Sequence, residues 1–383
     1  MLFPYRNRTD LDPAYHNENT YAYYNRSARN DVSIVRQKIE EWFSNYPQHE
    51  QEELKSRFKK TFSSAFYELF LFQLFSQLGF EIEIHPEIPN SSKRPDFLIK
   101  KGKDEFYIEA KETKDKSEKE IALDNRVNQV YDSLNRVKTP NFLLKIDELV
   151  LKTDKQPATK NIVRKIEEVA SKLDPDELTK ELELNGLEGK STFSHNDDDI
   201  NLNVSFIPKL PKFRNSTNSR AIGMYPFTSF WGGSEDSIKT SFKKKANRYG
   251  LLDKPYIICI NAIGIIGNGE FDINNALWGS LAFTYSTNPE DRDERVERKR
   301  DGIFLTEKGP RYQNVSGVLV TKVMEFNIAD TEYYLAKHPY SNVESNFDAF
   351  DLTYYFNDGG SIVTKKGKSF GEILKVDKTW LEG

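Results

Sequence analysis

The sequence predicts a mixed α/β protein, and three observations predict it. A helical pattern that is apolar on most sides, residues 62–75, stops at Gly79. Three short strand patterns follow it between Phe80 and Lys111. Helical and strand patterns then alternate along the rest of the 383 residues, as expected of a sheet flanked by helices.

Residues 1–30 are polar, rich in Tyr and Asn, and read as an irregular arm. Within 31–46, Val35, Ile39, Trp42, Phe43 and Tyr46 share one helical face. A second helical pattern runs from about residue 52 to 78, with a break near Lys60, and Gly79 is its natural stop. Residues 80–85 alternate apolar and charged side chains. Residues 96–99 follow the Pro95 breaker, and 106–111 follow a Lys-Gly-Lys-Asp turn, a hairpin signal. Next come a helix over 123–137, a strand over 142–146 and a helix over 159–173. Residues 174–200, acidic and containing Gly, Asn and Asp, read as a surface connection. A strand over 202–206 leads to a helix over 237–249 with Ile238, Phe242, Ala246 and Tyr249 inward. The wholly apolar strand 256–260 follows. This second helix-then-strand unit fits an extension of the first sheet or a separate domain. Residues 288–301 read as a charged loop, and 315–323 and 352–356 as strands, the latter closed by an Asp358-Gly-Gly turn.

Composition narrows the function classes. The chain is 37% hydrophobic and contains 26 Phe and 19 Tyr, gathered in runs, which excludes a disordered chain. The formal net charge of −4 excludes a basic coating protein for nucleic acid. It leaves room for an enzyme that grips an anion through local patches and a metal. Cys259 is the only cysteine, so no intrachain disulfide forms, and the five scattered histidines offer no zinc spacing. The N-terminus lacks a signal-peptide apolar core. The longest apolar run, 255–266, falls far short of the roughly 20 residues of a membrane span. The expectation is a soluble, cytoplasmic protein with no membrane partner.

The chemistry concentrates in Arg94-Pro95-Asp96-Phe97-Leu98-Ile99 and Phe106-Tyr107-Ile108-Glu109-Ala110-Lys111. Period-two alternation aims Tyr107, Glu109 and Lys111 to one side and Phe106, Ile108 and Ala110 to the other. Asp96 starts the neighbouring strand of the hairpin, so its carboxylate reaches the same place as Glu109. Hard oxygen ligands of this kind suit Mg²⁺ or Mn²⁺. A cation there activates water for attack on a phosphodiester, and Lys111 neutralises the charge that develops. Glu68 lies among Ala65, Phe66, Leu69, Phe72 and Phe75, where a carboxylate needs a partner or a metal. The pattern alone is not specific. Pro175-Asp176 precedes Glu188-Gly-Lys190 at nearly the same separation, but without flanking apolar strands.

These residues and their order resemble the PD-(D/E)XK nuclease superfamily, which includes restriction endonucleases. The resemblance covers residues 61 to about 147 and implies a restriction-endonuclease-like core of order αβββαβ. It implies Asp96 and Glu109 as metal-binding acids, Lys111 as the catalytic lysine and Glu68 as the acid of the first helix. Mg²⁺ or Mn²⁺ is the implied cofactor and DNA the implied partner, in restriction, defence or repair. The expected domains are an N-terminal helical arm, 1–60, the nuclease core, 61–200, and a C-terminal α+β region, 201–383. A homodimer or partner subunit fits this reading. The alternative is a catalytically silent nucleic-acid-binding or complex-assembly subunit with the same fold.

Arg94, Lys93 and Lys114 lie near enough to the motif to contact phosphates. Lys243, Lys244, Lys245 and Arg248 crowd one helix face, read either as solvated or as a second phosphate contact. No glycine-rich phosphate loop and no nucleophile elbow is present.

Overall fold

The computed structural model describes residues 1–383 apart from 90, 114–117, 187–189, 216–219, 227–233, 264–268, 286–289, 291–293 and 383. Helices α1 (Thr20–Arg26), α2 (Asn30–Asn45), α3 (Gln51–Lys60) and α4 (Phe62–Gln77) open the chain, followed by strands β1 (Glu81–Ile84), β2 (Phe97–Lys101) and β3 (Asp104–Glu112). Then come α5 (Glu118–Leu134), β4 (Phe142–Leu151), α6 (Lys160–Ala170), α7 (Pro175–Asn185), β5 (Thr192–Asn196), β6 (Ile200–Pro208) and β7 (Ile222–Met224). The remainder supplies α8 (Ser234–Ala246), β8 (Tyr256–Asn261), α9 (Glu270–Trp278), β9 (Leu281–Tyr285), β10 (Glu294–Arg298), β11 (Leu305–Thr306) and β12 (Gly309–Pro310). Strands β13 (Gly317–Thr321), β14 (Tyr333–Lys337), β15 (Tyr354–Asp358) and β16 (Ser361–Lys365) and helix α10 (Phe370–Leu374) complete it.

Two compact units result. The first comprises Met1–Pro13, Asn19–Asp115 and Trp231–Gly383; the second comprises Ala14–Glu18 and Lys116–Phe230. In the first unit the strands form a mixed sheet of order β1-β2-β3-β8-β13-β14-β15-β16. β1, β2 and β3 are antiparallel neighbours, and β8 lies parallel to both β3 and β13. One face packs Phe97, Ile99, Phe106, Ile108, Ile257 and Cys259 against α2, α3, α4 and α10. The other packs Leu98, Tyr107, Tyr256, Ile258 and Ile260 against α8 and α9. The hairpin thus alternates as its sequence requires, with Phe106 and Ile108 in one core and Tyr107 in the other.

The helix and strand expected at 123–137 and 142–146 do not complete this sheet. β4 pairs with β6 and β7 in the second unit's sheet, of order β5-β6-β4-β7. Its Phe142, Leu144 and Ile146 enter a separate core with Val130 and Leu134 of α5. The strand beside β3 is β8, reached through α8. The reason is visible in the side chains. Burial alternates along the start of β4, as in a strand covered on one face, whereas every residue of β8 is buried. A strand inside a sheet covered on both faces needs the second pattern. The boundaries expected at 60 and 200 therefore differ from those of the compact units.

Three further expectations change. Residues 174–200 contain α7 and β5. Asp174 caps α7 by accepting from the amides of Asp176 and Glu177, and Pro175 opens its first turn. The decoy Pro-Asp is thus a helix start; Glu188 lies outside the described residues. The stretch expected as a charged loop contains β10, paired with β9. The arm contributes α1 and buries Leu2 and Phe3.

Helix α4 is buried along most of its length, which its apolar sequence demands. Its end is a Schellman motif: the Gly79 amide donates to Ser76 O at 3.0 Å and the Phe80 amide to Phe75 O at 3.0 Å. Gly79 has φ +82°, and the Phe75 and Phe80 rings meet edge to face. This turn sets the path from α4 into β1. A Gly79→Ala variant, which meets no steric clash but takes a left-handed backbone, is expected to lose about 1–2 kcal/mol of stability. Thermal or urea unfolding reads that loss.

Candidate active site

Pro95 has no amide proton to give a ladder, and β2 begins only at Phe97. Phe97 pairs with Ile108, so Asp96 stands one step beyond, beside the Glu109–Ala110 segment. Its Oδ2 accepts from the Ala110 amide at 2.6 Å. Glu109 is 1% exposed because β3 is an interior strand of a sheet covered on both faces. Two carboxylates are thereby held together at the carboxyl end of β3, where β3, β8 and β13 run parallel. Crevices at the carboxyl ends of parallel strands are where α/β sheets bind ligands.

A buried carboxylate is tolerated only with compensating donors. Glu109 Oε1 accepts from Lys245 Nζ and, at 3.1 Å, from Arg248 Nη1. Its Oε2 lies against the Tyr249 hydroxyl, which also reaches the Arg94 carbonyl at 2.8 Å. One hydroxyl proton serves both acceptors. Burial and the Glu109 charge push the Tyr249 pKa up, so the phenol keeps that proton. Burial, then the negative charges of Glu109 and Glu68, push Asp96 up to about 7, against the pull of Lys245 and the Ala110 amide.

Glu68, 3% exposed, has a different partner. Arg57 of α3 grips it with both nitrogens, Nη1 to Oε2 at 2.5 Å and Nη2 to Oε1 at 2.6 Å, and Tyr46 donates to Oε1 at 2.9 Å. Both carboxylate oxygens are engaged in these contacts, and the Glu68 charge acts on Asp96. Arg57 Nε is buried and has no hydrogen-bond partner.

Of these groups, Arg57, Glu68, Asp96 and Lys245 line a cavity of about 600 Å³. Arg57, Glu68 and Ser64 line it from α3 and α4. Asp96, Lys111 and Thr113 line it from the hairpin, and Asp236, Ser237, Lys244 and Lys245 from α8. Lys111 is half-buried near the end of β3, in register with Ile260 of β8. Among the described residues, no group of three or more His, Cys, Asp or Glu is arranged to hold a metal ion. The donor chemistry of Asp96 and Glu109 nevertheless suits a hard divalent cation that keeps several waters. Such a cation would favour the ionised form of Asp96, which burial disfavours. Lys245 now stands against Glu109, where that cation would compete with it.

The phosphate-binding candidates separate. Arg94 is exposed and paired with Glu87 at 2.6 Å. Lys93 donates to the Arg248 carbonyl at 3.3 Å. Lys243 is exposed, and Lys244 lines the cavity. Lys245 and Arg248, on the face expected to be solvated, turn to Glu109 instead. Lys114 lies outside the described residues. Sequence reasoning missed Arg57, Tyr46 and the Glu109 contacts of Lys245, Arg248 and Tyr249. The signal available was Glu68 itself, an acid in an apolar helix that requires a cation, with Arg57 in the helix before.

No protein-family model, no curated protein and no solved structure matches the chain. Among the described residues, no helix is long and apolar enough to cross a membrane.

The Arg57–Glu68 pair gives a stability test. Arg57→Ala leaves a buried carboxylate unpaired and is expected to cost about 3 kcal/mol or more, whereas Arg57→Met with Glu68→Leu recovers most of it. A double-mutant cycle by chemical unfolding measures both.

Proposed function

We propose that this chain is a divalent-metal-dependent endonuclease of the PD-(D/E)XK kind that hydrolyses phosphodiester bonds in DNA. One observation carries the reading. Asp96 lines a cavity together with Lys111, and the buried Glu109 lies close enough to Asp96 for its charge to act on it. The sequence of α4, three strands, then α8 and β8 parallel to β3 supports it further, with residues 116–230 inserted between β3 and α8. That topology accords with the helix, three-strand, helix, strand core the resemblance implies.

Asp96 and Glu109 would hold the cation. When bound, it supplies Lewis acidity toward a phosphoryl oxygen and lowers the pKa of water. The chain's own groups do the rest. The Lys111 ammonium stabilises negative charge as it builds on the phosphate and leaving oxygen. Lys244 and Lys245 set a positive wall for the phosphate backbone, worth most at low salt. Arg57 fixes Glu68, whose charge keeps the acid cluster attractive to cations. Tyr249 ties Glu109 to the Arg94 carbonyl and so orients the carboxylate.

A second reading is favoured by one specific contact. With Lys245 and Arg248 already on Glu109, the chain would be a catalytically silent nucleic-acid-binding or complex-assembly subunit. Cleavage assays separate the two. Supercoiled, linear and single-stranded DNA are incubated with Mg²⁺ or Mn²⁺. Wild type is expected to cut and to stop on chelation. Asp96→Ala and Lys111→Ala are each expected to lose about 100-fold or more. Activity that survives both substitutions overturns the site. Inactivity of wild type on every substrate selects the second reading.

A further inference from the structure

Strands β9 and β10 pair only with each other among the described residues, as a two-stranded ribbon in the first unit. The register sets Leu281 opposite Arg298, Phe283 opposite Val296 and Tyr285 opposite Glu294. Alternation puts these six side chains on one face. Phe283 and Tyr285 are each 73% exposed and Val296 is 61% exposed. An isolated hairpin gains little stability of its own in water, and an apolar patch rimmed by charges marks an interaction surface.

The base of this ribbon is secured. Ser280 donates its amide and hydroxyl to Asp301 at 2.8 and 2.6 Å. Arg298 donates through Nη1 to the Gly279 carbonyl at 2.7 Å, which holds the guanidinium in place and uses one of its five donors. Gly279 has φ +102°, and a Cβ there would lie 2.0 Å from the Lys299 carbonyl, so only glycine permits the crossing. The base presents the apolar face without covering it.

The order of charges on that face identifies the occupant. Along β10 the face reads Glu294, Val296, Arg298: an acid at one end, a base at the other and an apolar centre between. Glu294 and Arg298 are both exposed. Residues 281–301 as a whole carry six acidic and five basic side chains, so two copies have little net charge to keep them apart. Such a face is complementary to itself. A two-fold axis across the ribbon, through the Phe283–Val296 pair, lays a second copy on it with strand direction reversed. Phe283 then meets Phe283, Val296 meets Val296 and Leu281 meets Tyr285. Glu294 of each copy faces Arg298 of the other. We infer that the β9–β10 ribbon is a homodimer contact, closed by this two-fold arrangement, in which each residue type meets its complement twice. The contact is separate from the metal site and holds whether or not the chain cuts nucleic acid.

The test is sedimentation velocity of the full chain over a wide range of protein concentration. Wild type is expected to form a reversible dimer. Phe283→Ser is expected to weaken it about tenfold or more. Like charges facing each other strongly disfavour an interface, so Glu294→Arg is expected to weaken it about 100-fold or more. Glu294 lies at the end of the ribbon away from the Ser280–Asp301 contact, so this variant leaves the base in place and its thermal midpoint should match that of wild-type monomer. Glu294→Arg with Arg298→Glu in one chain restores opposite charges at both ends and is expected to dimerise again. A wild type that stays monomeric at every concentration overturns the inference. So does a dimer whose affinity is unchanged in both Glu294→Arg and Phe283→Ser.

Discussion

The rest of the structure depends on the burial of Glu109 inside the sheet. A carboxylate at 1% exposure on an interior strand is sustained only by donors brought from elsewhere. Those donors come from α8 and the turn after it, about 140 residues along the chain. Lys245, Arg248 and Tyr249 converge on its two oxygens. That requirement ties the α8–β8 crossover to the β2–β3 hairpin. It also explains why residues 116–230 can form a unit with its own core while the chain returns to the sheet afterwards.

Around Glu109, charge of both signs is layered. Arg57 pairs with Glu68 on the α3–α4 side and Lys245 with Glu109 on the α8 side, whereas Asp96 accepts from the Ala110 amide and has a pKa raised to about 7 by burial and by the charges of Glu109 and Glu68. Asp96 is therefore the carboxylate least satisfied by the protein. Buried ion pairs are weak contributors to net stability. The cavity is lined by a mixture of lysines, acids and hydroxyls.

The sequence made the hairpin legible because period-two alternation and a Pro-Asp start are local signals. It was equally clear about α4, whose apolar run and Gly79 stop are unambiguous. Choosing between β4 and β8 as the partner of β3 was a non-local question. Both are apolar, and the distinction lies in whether one face or two are buried, as the wholly buried Tyr256–Asn261 shows. The partners of the acids were hidden for the same reason. A lysine on a basic helix face looks solvated until the position of a buried carboxylate 136 residues earlier is known. Residues 294–298 read as a loop because charged residues dominate them, although alternation with Phe283 and Tyr285 across the ribbon makes a strand pair.

The central claim is that Asp96 and Glu109 form a divalent-cation site in competition with Lys245. Mn²⁺ titration followed by electron paramagnetic resonance of the free ion tests it without any substrate. The expected result is one bound Mn²⁺ in wild type, at least tenfold weaker binding in Asp96→Asn, and tighter binding in Lys245→Met. Absence of binding in wild type, or an affinity indifferent to Asp96→Asn, would contradict it.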